Sequence, residues 1–204
     1  MQQSRTRREA IVEAMIRVAG GKGYLAASVA DVITESGASR TTFYKHFGNK
    51  HECFLAAHDL AVERSLAATV ASCEGKRGWR ERAGVGLAGV VELFAGNPPL
   101  ARTAIVEAAA AGAEARQSHW MAIGRFARLL EAEGPPADRS PPPANTALMA
   151  VGAVAGLIFD GLQDGPAADL PRLLPELEFA LLVPFLGPRE AAEAYAASAS
   201  SASV

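Results

Sequence analysis

Within seven consecutive residues, Arg40, Thr41, Thr42, Tyr44, Lys45 and His46 offer a guanidinium, two hydroxyls, a phenol, an ammonium and an imidazole. Groups of this kind on one side of a helix suit hydrogen bonding to base edges and phosphates in a duplex groove. They lie in the stretch SVADVITESGASRTTFYKHFGNK, Ser28 to Lys50. Covalent chemistry has no comparable support. The chain has no H-x-x-x-H, no nucleophile elbow and no Ser/His/Asp arrangement, so no catalytic residue, no metal ligand and no cofactor are assigned. His51 and His58 share a helical face, but seven residues of helix separate them by about 10 Å, too far for one metal.

The polar helix needs two others to aim it. Ser28-x-x-Asp31 caps a helix whose Val29, Val32 and Ile33 face inward, and Gly37 breaks it in a left-handed conformation. Ser39 caps the next helix, in which Phe43 and Phe47 sit one turn apart and point to the core. Upstream, Thr6-x-x-Glu9 reads as a capping box that starts a first helix near Arg7. Its apolar stripe is Ile11, Ala14, Met15 and Val18, and Gly20, Gly21 and Gly23 end it. Asn49-x-x-Glu52 caps a fourth helix running to about Ser72. Two helices crossing at a tight turn, the second free on its outer face, form a helix-turn-helix.

Beyond Gly75 the periodicity remains helical. Val85 to Phe94 is stopped by Asn97-Pro98-Pro99; Leu100 to Ala111 is alanine-rich; a seventh helix holds Trp120 to Leu130. Gly134 to Pro143 reads as a loop, followed by helices over Thr146 to Leu162 and Leu170 to Leu186. The pattern predicts an all-α fold of about nine helices. It predicts residues 1–50 as a helix-turn-helix DNA-binding head, 51–188 as a helical body, and 189–204 as a disordered, Ala/Ser-rich tail.

Half the residues are apolar and 21% are charged, the balance of a globular chain. The net charge of −2 divides unevenly: residues 1–50 carry eight basic and four acidic groups, leaving twelve basic and eighteen acidic in the rest. A basic head on an acidic body fits a protein that meets phosphate only through the head. No uninterrupted apolar run reaches a membrane span of roughly 18 residues, and the basic start MQQSRTRREA is followed by no apolar leader. The expectation is a cytoplasmic protein without a membrane partner. Cys53 and Cys73 form no C-x-x-C pair and read as small buried apolar groups. Gly84-Val85-Gly86-Leu87-Ala88-Gly89 matches a dinucleotide fingerprint, but it lacks the preceding strand and βαβ unit. Chance or close helix packing explains it.

With these residues in view, the first 55 or so resemble the TetR family of transcriptional repressors. The resemblance is carried by Gly23-Tyr24, Val29-x-x-Val32, Gly37-x-Ser39 and above all Thr42-Phe43-Tyr44-x-x-Phe47-x-x-Lys50. Ile33, Ala38 and Thr41 depart from the usual family residues without disturbing the spacing. The resemblance implies that Tyr44 and Lys50 clamp phosphates and that Ser28 touches one. It implies that Arg40, Thr41, Thr42, Lys45 and His46 read bases, and that Arg5, Arg7 and Arg8 meet the backbone or minor groove. Ser39 completes the DNA-facing set.

A single helix-turn-helix binds weakly, whereas two related by a two-fold axis read a palindrome. The last two amphipathic helices are the dimer candidates, through Val151, Gly152, Ala155, Gly156, Phe159, Leu177, Ala180 and Leu181. The resemblance also implies an effector site in the body, with Phe94, His119, Trp120, Ile123, Phe126, Met149 and Phe159 as lining. Glu92 and Glu107 either meet a cationic ligand or sit exposed. The reading is a homodimeric, non-enzymatic regulator, a repressor released from palindromic double-stranded DNA by an unknown small-molecule effector. The alternative is a small-molecule-binding or interaction protein whose DNA head has lost function.

Overall fold

Every regular element among the described residues is helical. The computed structural model describes residues 2–132 and 141–201, in eleven α-helices and one 3-10 segment. They run α1 (Gln2–Lys22), α2 (Val29–Ser36), α3 (Arg40–His46), α4 (Lys50–Ser72), α5 (Trp79–Gly96), α6 (Pro98–Ile105), α7 (Glu107–Ala110), α8 (Ala113–Glu131), α9 (Thr146–Asp164), the 3-10 segment (Ala167–Leu173), α10 (Leu174–Leu186) and α11 (Pro188–Ser201). The all-α expectation holds. Nine helices become eleven because the alanine-rich sixth breaks at Val106 and the tail forms one of its own.

Three local expectations change. The first helix begins at Gln2, so Thr6 lies inside it rather than at its start. The segment from Leu170 starts as 3-10 turns, and the α-helix proper opens at Leu174 with Pro175 in its first turn. The tail anticipated as disordered is helical to Ser201, with Ala191 and Ala194 buried against Trp79, Leu182 and Leu186. Most of the loop expected at Gly134 to Pro143 falls on residues 133–140, outside the described residues.

The chain divides into two compact units. The first joins Met1–Arg64 with Asn97–Trp120, and the second joins Ser65–Gly96 with Met121–Val204. A boundary at residue 50 therefore understates the first unit, in which the helix-turn-helix is packed together with α6 and α7. Ile11, Met15, Val32, Phe43, Phe54 and Leu100 form its fully buried centre. Gly20 shows why the sequence spaces its glycines as it does there. It lies within α1, where a Cβ would stand 2.1 Å from the Pro99 carbonyl oxygen and 2.5 Å from the Pro99 Cα. Only glycine lets α1 and the start of α6 approach so closely. Thr103 Oγ1 adds a bond to the Ile16 carbonyl, 3.3 Å.

In the second unit α10 packs on α9, α11, α5 and the 3-10 segment. Leu170, Leu177 and Leu182 are fully buried, and Trp79 Nε1 donates to the Leu130 carbonyl at 2.9 Å. The glycine fingerprint lies inside α5. A Cβ at Gly86 would meet Thr69 and Cys73, and one at Gly89 would lie 2.0 Å from Ser72 Oγ, so these glycines serve close packing against α4. Both cysteines are buried and neither forms a disulfide among the described residues, and burial pushes the Cys53 thiol up to about 12.

Candidate nucleic-acid interface

The turn between α2 and α3 is built as the spacing predicts. Ser28 Oγ accepts from the Asp31 amide while the Asp31 carboxylate accepts from the Ser28 amide, at 3.2 and 2.8 Å, completing a capping box. Gly37 ends α2 at φ +63°, a left-handed conformation that costs a side-chain-bearing residue more. Ser39 Oγ accepts from the Thr42 amide at 3.0 Å and caps α3. Phe43 and Phe47 are buried and anchor the inner face.

The outer face carries the polar set. Arg40, Thr41, Tyr44 and Lys45 are exposed, and Thr42 and His46 are half-buried at its rim. Arg40 stacks its guanidinium over the Tyr44 ring at 5.6 Å, and Tyr44 meets Phe43 edge-on at 5.3 Å. The pair is thus held by packing while its polar tips remain free. Ser39 and Thr42 share a hydroxyl bond of 2.8 Å, so their first duty is the cap. Arg7 is exposed, Arg8 lies over the Phe47 ring at 5.1 Å, and the side chain of Arg5 lies outside the described residues.

Nearby carboxylates turn away from this face. Asp31 pairs with Lys22 at 2.6 Å, Glu35 with Arg17 at 2.5 Å, and Glu13 with Arg64. The Lys22 bond, with the Ser28 hydroxyl and amide, holds the Asp31 carboxyl down at about 2. Helix α3 itself has no acidic residue, so its cations meet a polyanion without local competition.

Lys50, expected as a phosphate clamp, is also engaged within the head. Its ammonium donates to the carbonyls of Tyr24 and Ala27, both at 2.9 Å, and lies 4.2 Å from the Tyr24 ring centroid. Two of its three donors fix the α1–α2 connector, so positioning that connector is its main task. The start of the same connector is also held by Glu107. Expected to meet a ligand or lie exposed, Glu107 is 4% exposed. Its carboxylate accepts from the Tyr24 amide at 2.7 Å and pairs with Arg102 at 3.3 Å. The sequence carries no signal for this contact across 83 positions. Glu92, its counterpart in that expectation, is exposed.

The expected effector lining is drawn from both units. His119 and Trp120 belong to the first unit; Phe94, Ile123, Phe126, Met149 and Phe159 belong to the second. Phe94 and Ile123 are buried, whereas Trp120 and Met149 are exposed. An open groove of about 700 Å³ in the second unit is lined by Trp79, Arg80, Gly84, Val85, Glu178 and their neighbours and includes none of the seven.

The dimer set divides as well. Helix α9 is long and apolar enough to cross a membrane by length and composition, yet only 33% of that stretch is buried within the chain. Gly156 and Leu157 are exposed, Val151, Gly152, Ala155 and Phe159 are half-buried, and a Cβ at Gly152 or Gly156 would meet nothing within 4 Å. Leu177 and Leu181 have no such free surface. They are 0% and 6% exposed, turned into their own unit because α10 packs on α9, α5 and the 3-10 segment, and they leave the dimer set. Ala180 stays half-buried on α10.

Residues 11–57 match the sequence pattern described as bacterial regulatory proteins, tetR family. No curated protein matches the chain. Among solved structures, the fatty acid degradation regulator FadR from Bacillus halodurans superposes with a TM-score of 0.71 at 16% identity, over 90% of this chain and 96% of that one. FadR from Bacillus subtilis, in complex with stearoyl-CoA, gives 0.69 at 16% identity over 88% and 98%. The regulator TylP from Streptomyces fradiae gives 0.68 at 22% identity over 96% and 95%. The head thus matches the tetR family of bacterial regulatory proteins in sequence over residues 11–57, and the chain shares the fold of these regulators along most of its length.

Proposed function

We propose that the chain is a homodimeric repressor that reads a palindromic operator through α3 and leaves it when a small molecule binds. One observation carries the reading: Arg40, Thr41, Tyr44 and Lys45 stand exposed on a helix whose inner face and cap are fully committed to the fold. Arg40 is suited to guanine through a bidentate contact. Tyr44 and Arg7 supply phosphate contacts, Thr41, Lys45 and His46 the rim of base readout, and Ser28, Ser39 and Thr42 hold the helices in register. Arg8 and Lys50 add positive charge while stabilising the head, and Arg5 extends the same basic edge.

The exposed apolar stripe of α9 supports the dimer, since a helix so weakly covered favours burial against a second copy. Gly152 and Gly156 allow close approach of the partner helix. Two proteins of the same fold are described with a bound stearoyl-CoA and as a gamma-butyrolactone receptor, which supports a small-molecule effector here. Effector action requires unequal affinity for DNA-competent and DNA-incompetent states. The Gly20–Pro99 contact and the Glu107–Tyr24 bond give α6 and α7 a direct hold on the head through which such a preference can act. The protein acts in the cytoplasm, with no catalytic step and no cofactor.

Tyr44→Ala and Lys45→Ala in the full chain test the reading. Both should leave helical content and oligomeric state unchanged and weaken duplex binding roughly tenfold or more. Unchanged duplex binding would favour a ligand-binding protein with an idle head.

A further inference from the structure

Between α1 and α2 the chain runs from Gly23 to Ser28, and its peptide groups need partners that the two helices do not supply in full. Gly23 donates to the Ala19 carbonyl at 2.9 Å, and Ala27 donates to the Gly23 carbonyl at 3.0 Å. Two charged side chains from distant elements add three more bonds. The Glu107 carboxylate accepts from the Tyr24 amide at 2.7 Å, and the Lys50 ammonium donates to the carbonyls of Tyr24 and Ala27, both at 2.9 Å. Tyr24 is thus gripped by an anion at its N–H and by a cation at its C=O. Its ring packs on Phe54 at 4.7 Å between centroids. All of these residues lie in the first unit.

Among the described residues, Glu107 is the one acidic side chain that is buried. It stands at the joint where α6 ends at Ile105 and α7 begins, and its other oxygen pairs with Arg102 at 3.3 Å. A buried ion pair is a poor source of stability, and an apolar side chain of similar volume would fill the space as well or better. What the carboxylate adds is direction, because a hydrogen bond to an anion is short and fixes its donor. That donor lies four residues before Ser28, the N-cap of α2. Ala27, whose carbonyl Lys50 holds, is the immediate neighbour of the cap. The first turn of α2 is therefore placed from α7 and α4 as well as from α1.

We propose that Glu107 is a positioning residue for DNA reading. It ties the first turn of α2 to the α6–α7 joint and, through the Gly37 turn, fixes the angle at which α3 meets the groove. The inference rests on the regulator reading above and gives a residue far outside the helix-turn-helix a share in its sequence selectivity. Base contacts tolerate less displacement than phosphate contacts, because a bidentate pair needs both bonds aligned while attraction to the backbone falls slowly with distance. Loosening the connector should then weaken selectivity before it weakens general affinity for DNA. A loss of stability behaves differently. A smaller folded fraction lowers binding to every duplex by the same factor and leaves the ratio between two duplexes unchanged.

The test compares Glu107→Met, Glu107→Gln and Thr103→Val with the parent, all in the full chain. Thr103 is the control: its hydroxyl bonds the Ile16 carbonyl in the same α1–α6 contact, away from the connector. For each protein, affinity for a duplex selected from a random pool is divided by affinity for an unselected duplex of equal length at equal salt. Glu107→Met removes both acceptor oxygens and should lower that ratio roughly tenfold, the worth of about one base pair, with faster amide exchange from Tyr24 to Ala27. Glu107→Gln keeps an acceptor for the Tyr24 amide and should stay within about threefold of the parent. Thr103→Val should lower Tm and leave the ratio alone. If Glu107→Met does not fold, Glu107→Asp, one methylene too short to reach the amide, carries the same prediction. A Glu107→Met ratio equal to the parent's, or an equal fall in Thr103→Val, would overturn the inference and leave the regulator standing. A parent ratio near one would remove the regulator reading and this inference with it.

Discussion

Replacing Gly20 and Gly21 by alanine, one at a time, should move stability in opposite directions. Both residues lie in the last turns of α1. A Cβ at Gly20 runs into backbone, 2.1, 2.5 and 2.6 Å from the Pro99 oxygen, Cα and carbonyl carbon, whereas one at Gly21 meets nothing within 4 Å. Relieving the first clash requires α1 and α6 to part by roughly 1 Å, and overpacking of this kind costs about 1–3 kcal/mol, here at the upper end because no side chain can rotate away. Alanine for glycine in a helix returns up to about 1 kcal/mol. Gly20→Ala should thus lose ~2 kcal/mol, and Gly21→Ala should gain up to ~1 kcal/mol. For a chain of this size that is a fall of roughly 4–8 °C against a rise of roughly 2–4 °C in Tm. Thermal unfolding followed by circular dichroism reads both. Equal shifts of one sign would show that α1 does not rest on Pro99, and the proposed hold of α6 on the head would go with it.

The remaining predictions concern charge, pH and assembly. Lys50→Met removes two bonds from an ammonium to carbonyls and should cost about 2 kcal/mol in urea unfolding, with faster amide exchange in Tyr24 to Ala27; an unperturbed connector would return Lys50 to a purely DNA-facing role. Because the folded pKa of His58, about 4, lies below its ordinary 6.5, the unfolded chain binds the extra proton first. Stability contributed by neutral His58 is therefore full above about pH 6.5 and is lost as pH falls toward 4, by roughly 3 kcal/mol, while Asp31 weakens folding only below its ordinary range. His58→Phe should flatten the stability profile between pH 6.5 and 4.5, and an unchanged slope would place the titrating group elsewhere. Gly156→Arg adds a charged side chain to the open stripe of α9 without touching the core, so sedimentation should show monomers with native helical content. Persistence of the dimer would move the interface off α9.

The helix-turn-helix was legible because its determinants are local. Ser28, Asp31, Gly37 and Ser39 act within four residues of themselves, and Phe43 and Phe47 declare the inner face of α3 by their spacing. The α5 glycines were also readable, since no strand preceded them to support a nucleotide loop. Contacts that join distant positions were not. Nothing near Gly20 announces Pro99, and Glu107 looks like any acidic residue until α7 brings it under Tyr24. Lys50 sits where a phosphate contact was expected, but the two carbonyls that hold it lie over twenty residues away. Leu177 and Leu181 fit a dimer seam by periodicity alone, yet periodicity cannot tell an internal neighbour from a second copy. The alanine-rich tail misled in the opposite direction: low complexity suggested disorder, whereas small side chains allow α11 to settle on Trp79 and Leu182.

The central claim is that α3 reads duplex DNA in two symmetry-related copies. Selection of bound duplexes from a random pool by the purified full chain tests it most directly. The account predicts an inverted repeat with half-sites about one helical turn apart or a multiple of it, and affinity that falls steeply as salt rises. Recovery of sequences without shared symmetry, at an affinity no better than for unselected DNA in dilute buffer, would contradict it.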